Sequence, residues 1–231
     1  MKKTFYSELA YVMGIVILAL GTAMMERANF GMSMVVAPAY LLHLKVSQTL
    51  TFFSFGMAEY MFQGVLLIAM MLLLKRFRTA YLFSFITAIF YGFTLDIMLS
   101  VMENITCNGF AARGTFYILG MIVCAVGVSL LFHTYIPLEA YEMFVKEVSA
   151  KLGMDINKFK TIYDCTSCAC AVIMSFAFFG FGRFEGVKLG TVICAFINGK
   201  LIGLCSTWFD STFEFKDGLK LRGFFEHQNQ S

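Results

Sequence analysis

The stretch GIVILALGTAMMERANFG, residues 14–31, returns in altered form as GMIVCAVGVSLLFHTYIP, residues 120–137. Gly14, Ala19 and Gly21 align with Gly120, Ala125 and Gly127, an offset of about 106. A second echo follows. Ala88 and Gly92 in FITAIFYGF align with Ala195 and Gly199 in VICAFINGK. A unit of roughly three apolar spans therefore occurs twice. With an odd number of spans per unit, the two copies must lie in a bilayer upside down relative to each other. Many secondary transporters use this arrangement to make one site reachable from either side.

Composition places the chain in lipid. Hydrophobic residues make up 59 % of the 231 and charged residues 14 %, against about 25 % charged in an average soluble domain. A soluble core of this size could not hide 27 phenylalanines among so many other apolar side chains. The two prolines leave no room for a Pro-rich linker. Basic runs with interleaved aromatics, the footprint of nucleic-acid binding, are missing.

Six spans of near the required ~20 residues are expected at 8–27, 50–74, 79–101, 112–133, 160–181 and 188–208. The expected fold is all-α and polytopic, a 3+3 inverted repeat. The first unit covers 1–106, the second 107–210, and a tail 211–231 follows. The start of the chain, two lysines before an apolar run, has the look of a signal peptide. It is expected to be retained, since its run has a counterpart in the second copy. Each unit also carries a long link after its first span. Residues 31–48 are apolar enough to re-enter the membrane, whereas the more charged 137–158 should lie on its surface as an amphipathic helix. Pro137 suits a first helical turn, with Glu139 and Glu142 near the positive end of the dipole.

Basic residues set the orientation. With the N-terminus inside, twelve lysines and arginines fall on the inner side. Five, Arg27, Lys45, Arg113, Arg183 and Lys188, fall on the outer. Both termini are then cytoplasmic in a multi-pass cell-membrane protein, and the tail is expected to be a short amphipathic segment on the inner leaflet.

Charges inside spans cost roughly 2.5–3.5 kcal/mol near a helix centre on insertion scales, so those present call for a role. Glu59 and Asp96 lie roughly 8–14 Å below the outer boundary, and Asp164 and Lys200 roughly 6–12 Å from the inner one, at about 1.5 Å per residue. One expected cluster joins Glu59 and Asp96 with Glu26 and Arg27 at the end of the first span. Two neighbouring carboxylates cannot both ionise cheaply, so such a pair could hold a proton or a cation. A second cluster pairs Asp164 with Lys200, helped by Asn198 and His133. The bland reading of each is a structural ion pair or a side chain snorkelling to the interface.

The run DCTSCAC, 164–170, invites a metal reading, but Cys165 and Cys168 share a helix face that Cys170 leaves, and a second ligand pair is missing. Neither a metal nor a cofactor is expected. Gly199 and Gly203 form a GxxxG pair, the signature of a close helix contact in lipid. No HExxH, GxSxG or P-loop is present, so no enzymatic activity is expected.

The segments LGTAMMERANFGMSMVVAPAYLL (20–42), GVSLLFHTYIPLEAYEMFVKEVSAKLG (127–153) and GVKLGTVICAFINGKLIG (186–203) carry a resemblance. They are similar to the patterns of the YczE/YitT-like group of uncharacterised bacterial membrane proteins. The likeness spans residues 8–208. It departs at Arg27 and at GFGRFEG, residues 180–186. It implies a bacterial inner-membrane protein without a secure substrate and carries over no catalytic residue. The leading expectation is a permease for a small solute or ion. The alternative is a non-transporting membrane subunit that docks a cytoplasmic partner such as an ATPase through 137–160; the expected partners are a homo-oligomer or such a cytoplasmic protein.

Overall fold

A computed structural model describes residues 2–219, apart from Asn108 and Arg183. The orientation reading placed on Arg183 and the reading of the tail beyond 219 lie outside the described residues. The chain is all-α but for one short ladder. In order it runs β1 (Lys3–Tyr6), α1 (Ser7–Ala28), α2 (Ala37–Val46), α3 (Phe55–Leu74), α4 (Thr79–Val101) and α5 (Phe110–Phe132). It continues with α6 (Ala140–Leu152), α7 (Ile156–Phe179), α8 (Leu189–Thr212) and β2 (Phe213–Lys216). Six of these helices are long and apolar enough to cross a membrane. The second of the six begins at Phe55 rather than 50, because the Ser54 side chain accepts the Met57 N–H and caps it there.

The surface agrees with a lipid solvent. Leu72, Phe110, Phe181 and Phe196 are between 74 % and 94 % exposed. A protein in water would be expected to bury side chains of this kind.

At the centre α1 crosses α5. A Cβ at Gly21 would lie 2.6 Å from the Cys124 nitrogen and 2.7 Å from the Gly120 oxygen. One at Gly127 would lie 2.6 Å from the Leu18 nitrogen and 2.9 Å from the Gly14 oxygen. Gly21 thus faces Gly120, and Gly14 faces Gly127, so the two helices run antiparallel. Only hydrogen in place of a side chain lets the backbones come this near. These are the same four glycines that the sequence aligns across the repeat. The other contacts follow suit: α1 packs on α4 and α5 on α8, α2 packs on α7 and α6 on α3.

Symmetry fails between the last two helices. Gly56 of α3 and Gly92 of α4 press together, backbone on backbone. Gly199 and Gly203 of α8 meet nothing within 4 Å. The GxxxG pair therefore makes no close helix contact among the described residues, contrary to its expected packing role.

The start of the tail is a short strand that alternates half-buried Phe213 and Phe215 with exposed Glu214 and Lys216. β2 lies parallel to β1, with Lys3 opposite Phe213 and Tyr6 opposite Lys216. The Glu8 carboxylate accepts the N–H groups of Gly218 and Leu219 at 3.0 and 2.8 Å. Strand pairing satisfies a backbone that has no helix left to continue. Both described ends of the chain thus sit at one end of the bundle.

Candidate functional site: a cavity where two linkers meet

Two connections that the sequence treats differently do the same thing. The linker after α5 does not stay on the surface. The Ala140 N–H donates to Gln63 Oε1 at 3.1 Å. Gln63 lies eleven residues before Leu74, about 16 Å along α3 at 1.5 Å per residue. The Ser84 hydroxyl donates to the Leu138 carbonyl at 2.5 Å, and the Thr87 hydroxyl to the Pro137 carbonyl at 3.0 Å. Polar side chains of α3 and α4 thus replace water for an irregular backbone held at depth, where an unpaired amide would be costly. Pro137 reduces that demand, having no N–H to satisfy.

The linker after α1 enters from the opposite end. The Ser167 hydroxyl donates to the Met34 carbonyl at 2.8 Å, twelve residues or about 18 Å from the Phe179 end of α7. The Met32 N–H donates to the Gly186 carbonyl at 2.9 Å. Against a hydrocarbon core of about 30 Å, both linkers reach the middle.

They meet at one cavity of about 780 Å³ including its open mouth. Its polar lining comes from Thr22 of α1, Ser33, Tyr91 of α4, Glu139 with Tyr141, and Asn198 of α8. Thr22 Oγ1 and Tyr91 Oη are hydrogen-bonded at 3.0 Å. Glu142 and Lys160, an ion pair at 2.9 Å, complete the polar set. The rest is apolar, including Leu18, Met25, Met34 and Leu131.

Behind this wall lies a carboxyl pair. Glu59 is fully buried and accepts from the Tyr141 hydroxyl at 3.0 Å. Gln63 Nε2 lies between Glu59 Oε2 at 3.4 Å and Glu139 Oε2 at 3.5 Å. One amide nitrogen thereby bridges two acids from different halves of the chain. Burial above all, and then the nearby Glu142, push Glu139 up to about 8, while the Gln63 hydrogen bond pulls the other way. Burial first, and then the Glu59 carboxyl, also raise the Tyr141 phenol.

The expected outer cluster does not assemble. Asp96 accepts from the Ser54 hydroxyl at 2.5 Å and the Gly56 N–H at 2.8 Å, which ties the N-terminus of α3 to α4. Glu26 accepts from the Tyr40 hydroxyl at 3.4 Å and faces Arg27 at 3.8 Å. Glu59 instead finds Glu139 through Gln63. The acid count near Glu59 was legible, but the identity of its partner was not. Gln63 is one helical turn from Glu59, and that i,i+4 polar pair was the available signal.

The inner cluster also changes partners. Lys160, one turn before Asp164 on α7, is the cation acting on it. Lys200 lies on the exposed side of α8 and makes no hydrogen bond or ion pair among the described residues. Asn198 does line the cavity. His133 sits at the end bearing both described ends of the chain, with Nε2 3.1 Å from Asp210 and its ring stacked on Phe215 at 4.6 Å. Cys165 and Cys170 are exposed and Cys168 is half-buried. Among the described residues no three His, Cys, Asp or Glu side chains stand where they could hold a metal ion.

Six apolar helices and their lipid-like surface define a polytopic integral membrane protein. Residues 5–207 match a family of unknown function, DUF6198, and the chain belongs to that family. No curated protein and no solved structure gave a match.

Proposed function

We propose that this protein is a transporter of a small solute, built as two inverted three-helix units, with its site in the cavity between the linkers. The observation that carries this reading is the meeting of two re-entrant linkers, one from each end of the bundle, on a single polar cavity. Paired contacts support the inversion: Gly14 with Gly127 and Gly21 with Gly120 are what a two-fold axis between α1 and α5 would produce. Discontinuous segments at mid-depth between repeats are where such transporters bind their cargo. The basic-residue bias supports cytoplasmic termini, and the resemblance to the YczE/YitT-like group suggests a bacterial cell membrane.

The docking-subunit alternative would rest on the charged segment 137–160, where Lys146, Lys151 and Lys158 are exposed but the acids Glu142 and Glu147 are engaged within the protein. Glu142 is engaged by Lys160, and Glu147 by Arg76 and Arg78 at 2.5 and 3.1 Å. Those acids are turned into the protein rather than offered to a partner.

The reading can be tested without knowing the solute. Ser33→Cys, in a chain whose seven native cysteines are replaced, is reconstituted in vesicles. A small, membrane-impermeant thiol reagent is then applied from one side or the other. Modification from both sides is expected. Modification from one side alone would show a pocket rather than a transport site.

A further inference from the structure

We infer that the cavity takes a small organic cation, a primary ammonium with an apolar body, held by Glu139 and admitted in exchange for the proton of that carboxyl. This inference rests on the transport reading and names the class of its cargo.

Charge decides the sign of the ligand. The lining holds two carboxyl groups and one ammonium. Glu142 and Lys160 satisfy each other at 2.9 Å. Glu139 is left over, 7 % exposed, and its Oε1 has no hydrogen-bond partner. Asn198 Oδ1, lining the same cavity from α8, is likewise without a donor. Buried oxygens without donors are rare and costly. A ligand that brings N–H groups would satisfy both oxygens, whereas an anion brings no donor for either. The apolar remainder of the lining suits a hydrocarbon body, and Tyr91 offers an aromatic wall to a cation.

Geometry also supports the exchange. The titratable groups acting on or around Glu139 are Glu142 and Tyr141 beside it, Glu59 across Gln63, Tyr11 of α1, Tyr91 of α4, Cys124 of α5 and Lys160 of α7. Lys160 is the cation in this set, and Glu142 occupies it. Glu139 therefore holds a proton at neutral pH, in line with its titration near 8. An arriving ammonium supplies the counter-charge and the proton leaves to water, so one positive charge enters as one departs. Glu59 and its bridge to Gln63 remain in place behind the site.

The test is calorimetric titration of the full chain in nanodiscs with n-butylammonium, with n-butanol and butyrate as neutral and anionic matches. Below the titration point, affinity should rise about tenfold per pH unit. From pH 6 to pH 8 it should rise about 50-fold and then level off, given ionisation near 8. Glu139→Gln should abolish both binding and the pH slope, while Glu139→Asp, keeping the charge, should retain the slope. Butanol or butyrate binding as well as butylammonium would overturn the inference, as would failure of all three to bind. So would unchanged butylammonium affinity in Glu139→Gln. Labelling of Ser33→Cys separates the two levels. Access from both sides without protection by butylammonium would leave transport standing and refute the cation. Access from one side with protection would leave the cation standing and refute transport.

Discussion

Replacing Gln63 with leucine removes the joint between the two halves at nearly constant volume. Gln63 is fully buried and uses both ends of its amide. Its oxygen accepts the Ala140 N–H at 3.1 Å, and its nitrogen serves Glu59 and Glu139. In Gln63→Leu the Ala140 N–H, at the start of α6, has no acceptor. A buried donor left unpaired costs about 1–3 kcal/mol. The acceptors need not add a similar loss, because a protonated carboxyl is far cheaper to bury than a charged one. The net destabilisation should therefore stay near about 1–3 kcal/mol. A second consequence follows for titration. The Gln63 bond pulls Glu139 down, so its removal should move Glu139 further above about 8. Infrared difference titration of the carboxyl stretch in nanodiscs, with Glu139→Gln to assign the band, reads this shift. Thermal unfolding in the same nanodiscs reads the stability. An unchanged melting point together with an unchanged band would show that the linker is not held by Gln63, and the picture of a clamped re-entrant segment would fall.

Three further outcomes follow from the same contacts. Glu139 keeps its proton to about 8 when folded and releases it near the ordinary 4.5 when unfolded. Stability should therefore be greatest below about pH 4.5 as far as this group is concerned. It should fall by about 1.4 kcal/mol per unit as pH rises towards 8, then flatten. Glu139→Gln should lose that slope in unfolding measured across pH. Gly21→Val should disrupt the α1–α5 crossing, since its Cβ meets backbone at 2.6 Å. An overpacking cost of at least about 1–3 kcal/mol is expected, while Gly114→Val, with nothing within 4 Å, should escape the clash; equal melting points would refute the crossing. Asp96→Asn should lower stability by about 1 kcal/mol through its bonds to Ser54 and Gly56 and leave n-butylammonium affinity unchanged. Lys200→Met should also spare that affinity, and a loss in either variant would return these residues to the site.

The amino-acid sequence by itself determined the solvent and the spans. Apolar runs of the required length admit little else in 231 residues, which is why Thr79–Val101 could be placed to the residue. Helix glycines in matched positions marked the α1–α5 crossing, because a close backbone approach tolerates no other residue. Span composition also marked Glu59 and Asp164 as anomalous, since the price of a charge in lipid depends on depth and depth can be counted along a helix. What a counted depth leaves open is direction and partner. Asp96 and Glu59 have similar depths, yet one braces a helix end and the other meets the opposite half of the chain. Lys200 is as deep as any of them, yet it turns outward. The tertiary structure decided these questions through the linkers. PLEAYE reads as a surface helix because its charges suit water. Ser84, Thr87 and Gln63, spread over two other helices, supply the hydrogen bonds that draw it inward. That supply is non-local, and only the packed bundle brings Gln63 beside Glu139 and so makes a site from residues 76 positions apart.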